Sequence, residues 1–338
     1  MTDPSTVLVL GARGRFGQAA ARAFAAAGWR VVAQMRPGGA ALPMTGVRWV
    51  EARPDDTATL AAAADGAGAG VVVQALSPLY THRAWRREVP RLTQAAISIS
   101  HELGATLMLP GNVYNFGAEL PQLLREDTPH IANTVKGGLR IDAETQIRCA
   151  TADGAMKAVV IRAGDFFGSG RGSWLDEVMV KNLRHGGFTY PGSMNLPHAW
   201  AYLPDLAQAF VRAAQAREQL APFETLHFAG HTVTGAQWRD ALTDIAWENG
   251  WLPAGGKLKQ GSLPWPLLRL IGLVAPTFEA LAEMRYLWSR PHQLVDNRMR
   301  QLLGPQRQTP FADAVRLALA DLRMVATKGA PACNAALS

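Results

Sequence analysis

Residues 7–39 read VLVLGARGRFGQAAARAFAAAGWRVVAQMRPGG. A short apolar run meets Gly11, an Ala-rich helical segment follows and stops near Gly28, and a second apolar run begins at Arg30. Strand, glycine turn, helix, strand is the pattern. The spacing of Gly11, Gly14 and Gly17 has a physical reason. The turn must be tight, the backbone must approach a phosphate closely, and the helix must sit against the sheet. Gly11, Ala12, Arg13, Gly14, Arg15, Phe16 and Gly17 are therefore expected to present free N–H groups and a positive helix end to the pyrophosphate of a dinucleotide.

The end of the second strand bears on which dinucleotide. A site built for NAD places a carboxylate there to accept ribose hydroxyls. Here the residues are Gln34, Met35 and Arg36, and Arg13 stands inside the glycine loop. Two guanidinium groups suit a 2′-phosphate, since Arg pairs bidentately with phosphate. The reading is NADP(H) in preference to NAD(H).

The alternation continues beyond this unit. Strands are predicted at 7–10, 30–34, 47–51, 71–74, 106–109 and 158–161, with helices at 89–103 and 137–151 among them. Buried parallel strands alternating with helices predict a Rossmann-type, doubly wound α/β fold with helices on both faces of the sheet. After Gly168 the pattern changes to helices and irregular segments, and seven of the ten Trp lie beyond Gly170. A dinucleotide-binding domain over 1–170 and a smaller, mainly helical substrate lobe over 171–330 are expected. The two are interleaved, with elements returning to the first near 201–230 and a candidate strand at 225–228. The tail GAPACNAALS reads as a frayed end.

Composition narrows the partners. Hydrophobic residues make up 48% and charged residues 18% of the 338, which is globular. The chain is basic, at net +7 and pI ≈ 9.8, but its arginines are scattered through an Ala- and Gly-rich sequence rather than blocked, which argues against nucleic acid. Cys149 and Cys333 have no metal-like spacing, so no metal is expected and a reducing cytoplasm fits. The start carries no signal-peptide pattern. The most apolar late stretch, SLPWPLLRLIGLVAPTFEALAEM, is broken by three prolines and by Arg269 and Glu279. It reads as helices of a soluble core rather than as a membrane span.

Six segments, in order, resemble the extended short-chain dehydrogenase/reductase family of the NAD-dependent epimerase/dehydratase type, and especially its atypical members. GARGRFG is similar to the family's glycine loop. QALSPLY (74–80) is similar to the segment bordering the nicotinamide ribose, which points to Ala75, Leu76 and Ser77. PGNVYNFG (110–117) resembles the fifth-strand Val-Tyr-x-Gly motif, and IRAGDFFGSG (161–170) the segment beside the nicotinamide, which points to Ala163, Asp165 and Phe166. AWAYLPDLAQAF (199–210) resembles a Tyr-Val-x-Asp helix start. RPHQLVDNRMRQLLG (290–304) resembles the late segment in which an Arg, here Arg290, binds a nucleotide-sugar. The resemblance also implies a homodimer through the helices at 89–103 and 137–151, whose Ala, Ile and Leu positions are read as exposed.

The departures fall where the chemistry belongs. In the family a Ser or Thr lies four residues before the Tyr of Val-Tyr; here Tyr114 is present but that position is Pro110. The family's Tyr-x-x-x-Lys pair, anchored on Glu144, falls on Lys136 and Arg140 within TVKGGLRIDAE (134–144). Fixed cations and desolvation push a lysine pKa towards useful values, so Lys136 is a candidate proton donor, or a ribose contact together with Arg140. Tyr114 is the other candidate acid. Asn112 is placed to orient a substrate carbonyl, with Tyr80, Phe166, His198 and Trp200 as cleft walls. The expected function is an NADP(H)-dependent oxidoreductase acting on a small organic carbonyl or alcohol. The alternatives are a nucleotide-sugar epimerase or dehydratase, which Arg290 supports, and a non-catalytic NADP(H) sensor.

Overall fold

A computed structural model of the chain describes residues 5–326; Cys333 and the tail expected to fray lie outside the described residues. The first half alternates as β1 (Thr6–Leu10), α1 (Arg15–Ala26), β2 (Arg30–Met35), β3 (Val47–Glu51), α2 (Thr57–Asp65), β4 (Ala69–Gln74), α3 (His82–Glu102), β5 (Thr106–Gly111), β6 (Leu123–Leu124), α4 (Val135–Ala150) and β7 (Lys157–Arg162). The next elements are β8 (Asp165–Phe167), β9 (Gly187–Tyr190), β10 (His198–Tyr202), α5 (Leu203–Gln215), β11 (Phe223–His227), β12 (His231–Val233) and α6 (Gly235–Glu248). The chain closes with β13 (Lys259–Ser262), α7 (Trp265–Gly272), α8 (Pro276–Glu283), α9 (Tyr286–Ser289), β14 (Gln293–Leu294), α10 (Asn297–Leu303) and α11 (Phe311–Asp321).

Seven parallel strands form one sheet in the order β11-β7-β5-β4-β1-β2-β3. This is the Rossmann-type doubly wound sheet. Side chains alternate across it. Val7 and Val9 of β1 face α1, α5 and α10 through Phe16, Phe24, Phe210 and Met299, while Leu8 and Leu10 face α2, α3 and α4 through Leu60, Ile97 and Ile147. Each such side chain, fully buried, contributes about 1.5–3 kcal/mol. The strand order reverses between β1 and β4, and ligands of open α/β sheets bind in the crevice at that switch point.

The second lobe has its own aromatic core, in which Trp200, Trp238, Trp265 and Trp288 pack with Tyr190, Phe188 and Phe167. Three small sheets brace it, β12-β10-β8, β13-β9 and β14-β6. The chain passes between the lobes more than once: β11 pairs with β7 and α5 covers α1, so both lie in the first core.

Three expectations need correction. Helix α3 begins at His82, not at residue 89, because the Thr81 hydroxyl accepts the Ala84 N–H at 3.1 Å and buried Trp85, Val89 and Leu92 carry the helix through Pro90. The apolar stretch at 262–284 does form helices, and no helix among the described residues is long and apolar enough to cross a membrane. It is not all core, however, since Leu270, Leu273 and Val274 are 63%, 80% and 86% exposed. Finally, most apolar positions of α3 and α4 are turned inward. Ala95, Ile97, Ile99, Ala143 and Ile147 are buried within the chain, and most of the exposed positions, among them Arg83, Arg87, Gln94, Thr145 and Arg148, are polar. Of the apolar positions on which the expected dimer rested, Leu103, Leu139 and Ile141 remain partly exposed.

Candidate functional site at the carboxyl ends of the strands

The glycine loop follows β1 and lies against the segment after β4. Gly11 has φ +74°, and a Cβ on it would meet Leu76 N at 3.0 Å. A Cβ on Gly17 would lie 2.3 Å from Gly11 O, so only glycine lets α1 start this close to the turn. Ala12 is wholly buried, and Phe16 packs on Phe210 at 4.8 Å. The α1 N-terminus has Gly14 as its cap residue, no side-chain cap and no acid in the first turn. First-turn amides without a protein acceptor, at the positive end of a helix dipole, fit a diphosphate. Arg15 has another duty: its guanidinium donates to the carbonyls of Phe166 (3.0 Å), Gly172 (2.8 Å) and Gly168 (3.4 Å), tying the loop to β8 and the turn after it.

At the end of β2, Gln34 is buried and structural. Its Oε1 accepts from Gly11 N at 2.7 Å and its Nε2 donates to Ala52 O at 2.7 Å. Arg13 and Arg36 are exposed and form no ion pair among the described residues. The Arg13 side chain crosses the loop after β2, where a Cβ on Gly39 would meet Arg13 Nη1 at 2.9 Å and Arg36 O at 3.0 Å. Both cations thus flank one short loop. The acid of that loop is Glu51, from the end of β3, which accepts the Gly38 N–H at 3.2 Å.

On the other side of the crevice Ala75 and Leu76 border the glycine loop, and Ser77 is exposed. Ala163 is fully buried, and the Phe166 ring lies 6.4 Å from Phe16. The Tyr80 and Tyr114 hydroxyls are 3.4 Å apart. Asn112 spends its Oδ1 on the Tyr114 N–H at 3.0 Å, so it shapes the turn that carries Tyr114. A Cβ on Gly137 would be 2.6 Å from Tyr114 O, which explains how α4 presses onto that turn. Burial, and next the charge of Asp165, push the Tyr114 phenol well above its ordinary range.

Lys136 lies behind the Tyr80 ring, with its hydrogen bonds turned to α8. Its side chain is 0% exposed, and Nζ donates to Ala280 O at 2.6 Å and to Glu283 Oε2 at 3.3 Å, both on α8. The ammonium rests over the Tyr80 ring at 4.4 Å, with Trp85 at 5.8 Å. Burial pushes Lys136 downward and Glu283 opposes it. Glu283 also accepts the Val135 N–H at 2.6 Å and sits 3.1 Å from His82 Nε2. Burial alone would raise this carboxyl, but these donors outweigh it and hold it below its usual range. A motif around Lys136 could not reveal Glu283, which lies 147 residues away. Beside this latch a surface cavity of ≈ 540 Å³ opens between α3, α7 and α8. Arg140 packs over Trp85 at 5.2 Å and leaves its Nε without a partner. Deeper in, Arg162 and Glu144 form a buried pair, with Nη2–Oε2 at 2.5 Å and Nε–Oε1 at 3.3 Å, that ties α4 to the end of β7.

Trp200 is also corrected: it is wholly buried against Trp238 and Phe167, part of the core behind the crevice and not its wall. His198 is 3% exposed and bonded to Asp165 at 2.9 Å, a pairing that the sequence reading, which had assigned the two residues separately, did not find. Arg290 is exposed and makes no ion pair among the described residues.

Known proteins agree with this architecture. No curated protein sequence matches the chain. Among solved structures, the UDP-glucose 4-epimerase of Thermotoga maritima with UDP-glucose superposes with a TM-score of 0.72 at 13% identity, covering 94% of this chain and 98% of that one. The Bordetella bronchiseptica enzyme WbmH in complex with NAD+ gives 0.68 at 19% identity, covering 95% and 99%. The UDP-glucose 4-epimerase of Brucella ovis in complex with NAD gives 0.69 at 14%, covering 94% and 98%. At such identities these likenesses show the fold. A family model matches residues 7–227, well over half of the chain, and with the glycine crevice and the parallel sheet it shows that the chain belongs to the NAD dependent epimerase/dehydratase family.

Proposed function

We propose that this protein is an NADP(H)-dependent oxidoreductase acting on a small organic carbonyl or alcohol with an apolar or aromatic body. The observation that carries the reading is the pair Arg13 and Arg36, which flank the loop after β2 without a carboxylate partner where a ribose-binding acid would otherwise stand. Charge-assisted, bidentate contacts from guanidinium to a 2′-phosphate are worth more than neutral ones. The residues that would hold the dinucleotide are the amides of 15–17 for the diphosphate, Arg13 and Arg36 for the phosphorylated ribose, and Leu76, Ser77, Ala163 and Phe166 around the nicotinamide. When bound, the reduced nicotinamide supplies a hydride. The chain's own contribution is to orient that ring against the Tyr80–Tyr114 side of the crevice and to exclude water with the aromatic lobe.

Fluorescence titration tests the reading. NADPH is expected to bind more tightly than NADH, and Arg36→Ala to lose about 1–3 kcal/mol of that preference. Equal affinities in the unsubstituted protein would refute it. A panel of aromatic and aliphatic carbonyls, followed by NADPH oxidation, then separates an enzyme from a redox sensor. Nucleotide-sugar epimerisation is the second reading. Arg290, exposed and unpaired among the described residues, favours it, and a UDP-sugar that raises the melting temperature through Arg290 would move the assignment there.

A further inference from the structure

With Lys136 held under α8 and Tyr114 pushed up, the crevice needs another group to move a proton. The parallel pairing of β10 with β8, in which Trp200 lies beside Asp165, brings His198 and Asp165 together. His198 Nε2 is 2.9 Å from Asp165 Oδ2, and Nδ1 is 3.2 Å from Leu287 O. A carboxylate oxygen only accepts, so the 2.9 Å contact is met by the Nε2–H of His198 donating to Asp165 Oδ2. Trp288 stacks on the ring at 4.5 Å and 25°, and His292 meets it edgewise at 4.5 Å, which fixes its orientation. His292 does not share the role: burial first, then His198, push it down to about 3.

Asp165 is differently placed. One oxygen is held by His198; Oδ1 makes no hydrogen bond among the described residues, and the side chain keeps 13% exposure. On the cofactor side its neighbour Phe166 gives its carbonyl to Arg15 of the glycine loop. On the substrate side its charge adds to burial in raising both Tyr80 and Tyr114, and it acts on Tyr190 and Tyr286 as well. An oriented carboxyl with one unengaged oxygen thus lies between the dinucleotide loop and the aromatic wall.

We propose that Asp165 is the general acid/base of this site and that His198 is its positioning residue. The inference rests on the oxidoreductase reading. In carbonyl reduction the substrate carbon gains the hydride supplied by the reduced nicotinamide, and the π pair moves to oxygen. That oxygen takes the proton leaving Asp165 Oδ1. The carboxylate so formed is steadied by the His198 N–H on Oδ2, and one solvent proton restores the acid. In alcohol oxidation the same carboxylate accepts the hydroxyl proton.

The test compares the unsubstituted protein with Asp165→Ala, Asp165→Asn and His198→Gln. Asp165→Ala is expected to keep its NADPH affinity and lose about 10²–10⁴-fold in kcat. Acetate is expected to restore part of that rate in Asp165→Ala and none in Asp165→Asn, whose site is still filled. His198→Gln is expected to lower kcat with little change in KM. A readout independent of turnover is ¹⁵N NMR of the protein without cofactor: His198 Nε2 is expected to carry a proton, and Asp165→Ala to shift that resonance. A His198 Nε2 without a proton, or turnover that survives Asp165→Ala, overturns the proposal alone. An Asp165→Ala protein that is slow, is not rescued by acetate and melts early assigns the pair a structural role and overturns it too. Absence of turnover by the unsubstituted protein with NADPH bound overturns the oxidoreductase reading, and this one with it.

Discussion

Replacing Glu144 by Leu removes the carboxylate from a guanidinium that cannot leave. Arg162 and Glu144 are 1% and 4% exposed, both Arg162 contacts to a charged partner go to Glu144, and Arg162 Nη1 already lacks an acceptor. After the substitution a full charge remains beside the Phe116 ring, 5.4 Å away, with no counter-charge in contact. Breaking a buried pair from one side costs about 3–5 kcal/mol, because the stranded charge keeps its desolvation penalty. The unfolding entropy of a chain this long is about 0.7 kcal/mol/K, so the melting midpoint should fall by about 4–7 °C. The double variant Glu144→Leu/Arg162→Met removes both charges and is expected to melt within about 2 °C of the parent, since apolar replacement of a buried pair is often neutral. Calorimetry on the four proteins gives the coupling directly. A single variant that melts with the parent, or a double variant that simply adds two losses, would show that the pair is not a buried ion pair in solution. The pair ties the helix bearing Lys136 to the strand leading to Asp165, so the single variant should also lose NADPH turnover.

Lys136→Met is expected to leave NADPH affinity and turnover within a few fold of the parent, because the amine's hydrogen bonds go to Ala280 and Glu283 of α8 and it meets the crevice only through the face of the Tyr80 ring; a collapse of either would restore Lys136 to the chemistry. Acid should destabilise the fold through two buried histidines. Burial, with Arg162 acting on His227 and His198 on His292, pushes both down to about 3. The unfolded chain takes up these protons near pH 6.5 and the folded chain does not. The stability present above that pH is therefore lost between about 6.5 and 3, at about 1.4 kcal/mol per pH unit for each histidine. Urea midpoints measured across that range check it, and His227→Gln should remove one proton from the slope.

The first forty residues determined most of the architecture by themselves. A buried strand, a glycine turn and an Ala-rich helix are written in local pattern, and the steric need for Gly11 and Gly17 follows from a turn only a few residues long. The same local logic located the strands of the sheet to within two residues at each end. Helix α3 escaped in part because its start depends on burial of Trp85, which no local pattern around Pro90 shows. The chemistry escaped for a stronger reason. Lys136 and Arg140 look like a reactive pair in sequence, but a lysine's role is set by what surrounds its amine, and here that is a carboxylate 147 residues away on α8. His198 and Asp165 are ordinary residues in separate motifs until the register of β10 on β8 puts them 2.9 Å apart. Backbone geometry is short-ranged and legible in sequence, whereas the electrostatics of a buried site depend on long-range contacts that only the tertiary structure creates.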